Sequence, residues 1–105
     1  MSFAMPPEYT PIQVRNGLVI LSGYGVRVSV WRDLLTLEDG VSDRRRKDSF
    51  HRATCGIKRL VVLSSNGYIT FDALQWLADI GAGVLVMGLN DNILIANSPR
   101  SMEHP

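Results

Sequence analysis

The chain has 105 residues, of which 46% are hydrophobic and 20% charged, and its formal net charge is +1. A chain of this length folds as one domain around one hydrophobic core, and the composition excludes an intrinsically disordered protein. The single cysteine, Cys55, excludes an internal disulfide and any zinc site built from cysteine pairs.

The sequence predicts neither a membrane span nor a secretion signal. No apolar run approaches the roughly 18 to 20 residues that a membrane helix needs. The N-terminal sequence MSFAMPPEYTP lacks the basic segment followed by an apolar segment that marks a signal peptide. We therefore expect a cytoplasmic protein with no membrane partner.

The basic residues are concentrated in one part of the sequence. Seven of the eleven lysines and arginines fall between positions 44 and 59, where Asp48 is the only acidic residue. Crowded like charges favour a polyanionic partner, whereas a solvated surface explains an exposed basic loop without any function. The seven residues are Arg44, Arg45, Arg46, Lys47, Arg52, Lys58 and Arg59.

Three strands are predicted in the first half of the chain. Residues 18–22 (LVILS) form an apolar run that ends at Gly23-Tyr24-Gly25, and residues 26–32 alternate with the period of a half-buried strand. Residues 34–38 predict a third strand, followed by a turn at Asp39-Gly40. We expect these strands to form an antiparallel meander.

The next segment, residues 41–54, shows almost no apolar periodicity and holds most of the basic cluster. It is expected to be an exposed loop or a polar hairpin tip. Residues 57–63, 84–87 and 92–96 are continuous apolar runs, which are typical of strands covered on both faces.

One short helix is predicted at residues 70–80. Thr70 is a suitable N-cap, and Gly81 is placed to end the helix. The expected buried stripe follows spacings of three and four residues: Phe71, Leu74, Leu77 and Ala78. These elements predict an α+β, mainly β fold, a small mixed sheet or β-sandwich of about six strands with one short helix.

No catalytic constellation is visible in the sequence. The segment before the predicted helix, residues 64–70, has one glycine and a bulky aromatic, unlike the glycine-rich turn of a dinucleotide site. Neither His51, in the basic segment, nor His104, one residue from the end, is at helical spacing from a carboxylate within a structured element, and a reactive Cys55 would need a third, orienting group. We predict no catalytic residue and no metal ligand within this chain.

Two long segments carry a resemblance to a known family. They are NGLVILSGYGVRVSVWRDLLTLEDG and GIKRLVVLSSNGYITFDALQWLADIGAGVLVMGLNDNILIA. With its apolar strand, polar turn, short helix and glycine-led strand, the second segment is the more specific. The sequence resembles the N-terminal β-domain of the CRISPR-associated endonuclease and integrase of spacer acquisition, the first of two universal CRISPR adaptation proteins. The resemblance covers nearly all of residues 16–98.

The resemblance implies a two-domain protein of antiviral defence. In that family the N-terminal β-domain mediates homodimerisation and helps to hold protospacer DNA, while a helical domain carries the metal site that cuts and joins DNA. Residues 1–15 would be an N-terminal extension, 16–98 the β-domain and 99–105 the start of a linker. The catalytic domain, with its Mg²⁺ or Mn²⁺, would be absent. The implied partners are a second copy, protospacer and repeat DNA, and the second CRISPR adaptation protein.

The resemblance also implies a DNA contact at Tyr24. Some members of the family place an aromatic residue from the loop after the first strand against the end of a DNA duplex. A ring between two glycines could project and stack on a terminal base pair, whereas an exposed turn tyrosine needs no such role. The other DNA-binding candidates are basic: Arg44, Arg45, Arg46, Lys47 and Arg52.

A different class of function is compatible with the same sequence. A small dimeric β-domain that binds only protein would use unpaired strand edges and exposed apolar side chains such as Trp31. Salt-dependent binding to duplex DNA separates this alternative from the integrase interpretation.

Overall fold

The computed structural model describes residues 9–41, 44–88, 90 and 92–97. Within these ranges the fold is mainly β with one short helix, as predicted, but it has eight strands where about six were expected. The elements in chain order are β1 (Leu18–Ser22), β2 (Val26–Trp31), β3 (Leu34–Val41), β4 (Arg44–Phe50), β5 (Arg59–Leu63), β6 (Gly67–Ile69), α1 (Phe71–Asp79), β7 (Gly83–Met87) and β8 (Ile93–Asn97).

The strands form two mixed sheets of four strands each. The first sheet has the order β1-β5-β7-β8, in which β5 is parallel to β1 and β7, and β8 is antiparallel to β7. The second sheet has the order β4-β3-β2-β6, with antiparallel pairing except between β2 and β6. Apolar side chains from both sheets and from α1 form one core.

The predicted antiparallel meander is wrong for β1. This strand pairs in parallel with β5, with Val19 opposite Leu60, and it belongs to the first sheet. β2 and β3 do form the expected hairpin, with Val28 opposite Leu37. At Tyr24 the chain crosses from one sheet to the other. Flanking glycines permit a hairpin turn and a crossover alike, so the local sequence does not distinguish them.

The predicted basic loop is wrong over residues 44–50. These residues form β4, which pairs with β3 and places Arg46 directly opposite Asp39. The predicted turn at Asp39-Gly40 is also wrong, because both residues lie within β3. β4 shows no apolar alternation because polar side chains, Arg46 and Asp48, occupy core-side positions of this strand.

The ends of α1 agree with the prediction. Thr70 Oγ1 accepts a hydrogen bond from the Ala73 N–H at 3.1 Å, which confirms the N-cap. Gly81 has a φ of 78°, and the N–H of Ala82 donates to the Leu77 oxygen at 2.9 Å just beyond the helix. α1 has nine residues, and no helix in the described ranges is long and apolar enough to cross a membrane.

The buried face of α1 is rotated from the predicted stripe. Leu77 is fully buried as expected, but Phe71 is 87% exposed and Ala78 faces solvent. Trp76 lies in the core instead, and its Nε1–H donates to the backbone oxygen of Asp33 at 3.0 Å. Burial of this large ring fixes which side of the helix faces the sheets.

The first sheet buries only one of its faces. Val19 and Leu60 are fully buried, whereas Ile20 and Leu63, on the opposite face, are 45% and 43% exposed. Coverage of these strands on both faces was therefore a wrong expectation for the described part of the chain. The apolar outer face is a surface suited to contact with another protein surface.

Candidate nucleic-acid interface

Tyr24 projects from the crossover between the two sheets. Its side chain is 67% exposed, and its N–H donates to the Gly40 oxygen at 2.9 Å. The preceding Gly23 has a φ of 102°, and a Cβ at that position would lie 2.5 Å from the Gly40 oxygen. Glycine is therefore required at position 23, because the crossover backbone packs directly on β3.

Two residues at the end of β5 hold the other side of this crossover. The hydroxyl of Ser64 donates to the Gly23 oxygen at 2.8 Å, and Asn66 Oδ1 accepts the N–H of Gly25 at 2.7 Å. The backbone oxygen of Asn66 accepts the N–H of Val26 at 3.0 Å. Neither residue is among the predicted site residues, although a small polar segment after an apolar strand is a signal for such capping bonds.

The guanidinium of Arg45 also binds the crossover. It donates to the backbone oxygens of Tyr24, of Gly25 at 2.9 Å and of Gly40 at 3.0 Å. Its Nε and Nη2 donate to one carboxylate oxygen of the buried Glu38 at 3.2 and 2.8 Å. A guanidinium has five N–H groups. The five bonds of Arg45 match that number, so its hydrogen-bonding capacity is used inside the domain.

Arg46 points to the other face of β4 and joins the two sheets. Its Nε and Nη2 bind both oxygens of Asp39, at 2.8 and 2.6 Å, and Nη2 also donates to the Ile20 oxygen of β1 at 2.9 Å. The hydrogen bond to Asp39 raises the pKa of Arg46 above its ordinary value. This arginine is predicted to contact DNA, and in the fold its charge is paired with a buried carboxylate.

Arg52 lies at the opposite end of β3 from Tyr24. It forms ion pairs with Asp33 and Asp79, both at 3.2 Å, and its guanidinium carbon lies 5.5 Å from the centre of the Trp76 ring. The hydrogen bond to Asp79 raises the pKa of Arg52. Because Asp33 precedes β3 and Tyr24 binds its far end at Gly40, Arg52 and Tyr24 are about 20 Å apart along the strand.

Arg44 and Lys47 are exposed basic residues of the predicted set. Within the described ranges, neither side chain forms an ion pair. The Lys47 ammonium lies 5.4 Å from the centre of the Tyr9 ring. Both side chains are free to bind an external anion. The fold therefore divides the five basic DNA-binding candidates into residues with an ion-pair partner (Arg45, Arg46 and Arg52) and residues without one in the described ranges (Arg44 and Lys47).

Lys47 belongs to a row of side chains on the outer face of the second sheet. The register places Lys47, Glu38, Arg27 and Tyr68 side by side across its four strands. Glu38 is held by Arg45 and lies 3.9 Å from Arg27. The exposed members are therefore two cations and one aromatic ring, which are the side-chain types that contact phosphates and bases.

No group of three or more histidine, cysteine, aspartate and glutamate side chains in the described ranges could hold a metal ion. Cys55 accepts a hydrogen bond from the Ile57 N–H at 3.5 Å, and its own thiol lies 4.0 Å from the Arg52 oxygen. Both contacts of the thiol are with backbone groups of the surrounding loop. His104 lies outside the described residues.

Similarity to known proteins was found at the level of structure. The sequence matches no protein-family model and none of the curated proteins. A casposase bound to its integration product matches with a TM-score of 0.72 and 22% identity, over 80% of this chain and 26% of that one. A TtCas1–DNA complex matches with a TM-score of 0.56 and 18% identity, over 88% and 33%. A Cas1 protein from Thermotoga maritima matches with a TM-score of 0.57 and 11% identity, over 84% and 27%.

The chain has the β-domain fold of Cas1 and casposase proteins. This confirms the fold that the sequence resemblance implies. The chain spans 26% to 33% of the length of these three proteins. At such identities the match establishes fold alone, because one fold can carry different functions.

Proposed function

We propose that the chain is the dimerisation and DNA-supporting β-domain of a CRISPR-associated, metal-dependent endonuclease and integrase that inserts new spacers into a CRISPR array. The domain itself breaks no bonds in this proposal. In this proposal Mg²⁺ or Mn²⁺ would act in a separate helical domain of the integrase. Support comes from the shared fold with a casposase bound to its integration product and with a Cas1 protein in a DNA complex.

The presentation of Tyr24 is the observation that carries this proposal. An exposed aromatic ring stands on a crossover whose backbone is hydrogen-bonded to β3, to Arg45 of β4 and to the segment after β5. A ring held in this way stacks on a flat partner with little loss of conformational entropy. The end of a DNA duplex offers such a partner in its terminal base pair. We assign Tyr24 to that contact.

Two binding titrations with different DNA duplexes test the assignment. The 105-residue chain is titrated with a short blunt-ended duplex and with a duplex of the same stem whose ends are closed by hairpin loops. We expect preference for the open duplex. Tyr24→Ala should lose the stacking contact, which is worth about 1–3 kcal/mol, and Tyr24→Phe should keep it. Equal affinity of the unaltered chain for both duplexes would contradict the proposal.

The exposed cations are assigned to phosphate contacts. Arg44 and Lys47, which have no ion-pair partner in the described ranges, and the exposed Arg27, whose contact with Glu38 is long at 3.9 Å, are the candidates; Arg45, Arg46 and Arg52 form closer ion pairs. Neutralising three phosphates gives a slope of about −3 in a plot of log affinity against log salt concentration. Lys47→Gln should reduce that slope by about 1. An unchanged slope would remove Lys47 from the interface.

Homodimerisation is assigned to the apolar outer face of the first sheet. Ile20 and Leu63 are exposed there on neighbouring strands, and exposed apolar patches of this kind mark protein contacts. We expect the chain to sediment as a dimer at tens of micromolar. Leu63→Glu should give a monomer, because a charged side chain in an apolar interface is costly to desolvate. A monomeric unaltered chain would contradict this assignment.

The same apolar face supports the second candidate, a β-domain that binds only protein. Trp31, at the end of β2 in the second sheet, is also exposed, with the Arg32 guanidinium carbon 4.5 Å from its ring centre, and offers a separate apolar contact. This candidate predicts self-association without salt-dependent DNA binding, so the two titrations above separate it from the integrase proposal.

The cellular partners follow from the integrase proposal. The second CRISPR adaptation protein is proposed as a partner. A chain of a partial Cas6-RT-Cas1–Cas2 complex supports this, since it matches with a TM-score of 0.55 and 15% identity, over 80% of this chain and 23% of that one. The proposed site of action is the cytoplasm, where the CRISPR array and the protospacer DNA are located.

A further inference from the structure

Arg45 has the sequence features of a DNA contact but the geometry of an internal clamp. Its side chain binds the backbone oxygens of Tyr24, Gly25 and Gly40, and its remaining bonds go to Glu38. Every N–H of the guanidinium is therefore matched by an acceptor inside the domain. A phosphate could bind Arg45 strongly only if these bonds were broken.

The clamp acts on a backbone segment in which two glycines flank Tyr24, and which Gly40, Ser64 and Asn66 also hold by hydrogen bonds. Gly23 and Gly25 both have positive φ, at 102° and 60°, and glycine populates positive and negative φ with similar ease. Rotation about these residues would redirect the Tyr24 ring. Because Arg45 binds the carbonyl groups of Tyr24 and Gly25 together, such a rotation would break two hydrogen bonds at once.

Glu38 holds the clamp in place. Its carboxylate is buried and binds Arg45 Nε and Nη2, which fixes the plane of the guanidinium. Fixing that plane aims the other donors at the crossover. A lysine at position 45 would keep the charge, but its single ammonium cannot reproduce a planar, forked set of five donors.

We propose that Arg45, oriented by Glu38, is a positioning residue that fixes the direction of the Tyr24 ring for contact with a DNA duplex end. This inference rests on the proposed function of Tyr24. Its consequence is specificity: the open end of a duplex is selected over a continuous duplex because the ring is fixed before the DNA arrives.

The test uses the 105-residue chain and three variants. Arg45→Lys removes the fork and keeps the charge, Glu38→Gln weakens the orienting contact, and Arg44→Gln removes a neighbouring charge that has no ion-pair partner in the described ranges. The two measurements are the backbone order parameters of Tyr24 and Gly25 without DNA and the ratio of affinities for open and closed duplexes. Circular dichroism checks that each variant is folded.

We expect Arg45→Lys to lower the order parameters below about 0.85, the value typical of rigid backbone, while the hydrogen bonds from Gly40, Ser64 and Asn66 remain. It should lower the affinity ratio at least about fivefold, as expected for loss of base stacking. Glu38→Gln should act in the same direction with a smaller effect. Arg44→Gln should weaken binding to both duplexes by the same factor, so that the ratio of the two affinities is unchanged.

The outcomes separate the two proposals. If the unaltered chain does not distinguish open from closed duplexes, the function of Tyr24 fails, while the order parameters still decide whether Arg45 holds the crossover. If the unaltered chain prefers open ends and Tyr24→Ala abolishes the preference, an unchanged ratio or unchanged order in folded Arg45→Lys overturns the positioning role. If Arg44→Gln lowered the ratio of affinities for open and closed duplexes as much as Arg45→Lys does, the positioning role would also be overturned, since charge alone would explain the effect.

Discussion

Asp39 and Arg46 lie directly opposite each other on β3 and β4 and form a two-pronged ion pair, with Nε–Oδ1 and Nη2–Oδ2 distances of 2.8 and 2.6 Å. The pair also provides hydrogen-bond partners for backbone groups at the edge of β1. Asp39 accepts the Ser22 N–H at 2.8 Å, and Arg46 donates to the Ile20 oxygen. A carboxylate and a guanidinium thus replace the neighbouring strand that β1 lacks on this side within the described ranges.

Removal of the Asp39 charge is predicted to destabilise the domain strongly. Asp39 is 1% exposed and accepts three hydrogen bonds, whereas the amide in Asp39→Asn would place an NH₂ group among donors. Breaking a buried ion pair costs about 3–5 kcal/mol, and the partial exposure of Arg46 places the expected loss at about 2–3 kcal/mol. Urea denaturation measures the change in unfolding free energy.

Asp48→Asn is the matched control for this change. Asp48 lies on β4, on the same core-facing side as Arg46. It accepts the N–H groups of Ile12 and Ser49 and has no ion-pair partner in the described ranges. An amide oxygen can retain one of these bonds, so we expect a loss below about 1 kcal/mol. Equal losses in the two variants would show that the Asp39–Arg46 pair does not join the sheets energetically.

Gly40 is predicted to be intolerant of a side chain. Its φ is 115°, and a Cβ would lie 2.2 Å from the Arg44 oxygen. Gly40→Ala should therefore lower the unfolding free energy by about 3 kcal/mol, through backbone strain and displacement of β4. Gly56 also has positive φ, at 67°, but has no atom within 4 Å of a Cβ. Gly56→Ala should cost about 1–2 kcal/mol. Similar melting temperatures for the two variants would refute the close approach at Gly40.

Asp79 makes a pH-dependent contribution to stability. A hydrogen bond from the Gln75 amide at 2.8 Å, and then the contact with Arg52, hold the pKa of Asp79 below its ordinary value. A carboxyl group whose pKa is lowered in the folded state stabilises the fold above its ordinary pKa of about 4, and this contribution is lost as the pH falls through the folded pKa. Gln75→Ala should raise the pKa of Asp79, as followed by NMR of its side-chain carboxyl carbon. An unchanged pKa would mean that Gln75 does not stabilise the ionised form.

The sequence predicts the apolar elements well and the polar ones poorly. Thr70 and Gly81 mark the two ends of α1 because capping chemistry is local. The sequence does not predict β4, because the core-side residue Arg46 pairs with Asp39 on β3 and not with apolar side chains. Pairing of this kind leaves no periodic apolar pattern in the sequence. The acids that bind Arg45 and Arg46 are Glu38, the last residue of the predicted third strand, and Asp39, in the predicted turn; both are buried in β3.

At the candidate site, the sequence predicts the exposed Tyr24 but not the residues that hold its backbone in place. Tyr24 is exposed between its two glycines, as its local sequence indicates. The groups that hold it, Ser64, Asn66 and Arg45, come from distant positions in the chain and meet it only through the sheet crossover. Long-range contacts of this kind depend on strand order, which local patterns do not specify.

Stacking of Tyr24 on a duplex end is tested most directly by 2-aminopurine fluorescence. The probe base is placed either in the terminal base pair or at the centre of a blunt-ended duplex, and each DNA is titrated with the 105-residue chain. We predict that binding changes the emission of the terminal probe only, that Tyr24→Phe preserves the change and that Tyr24→Ala removes it. Equal responses from the terminal and central probes, or a terminal response that persists in Tyr24→Ala, would contradict the account.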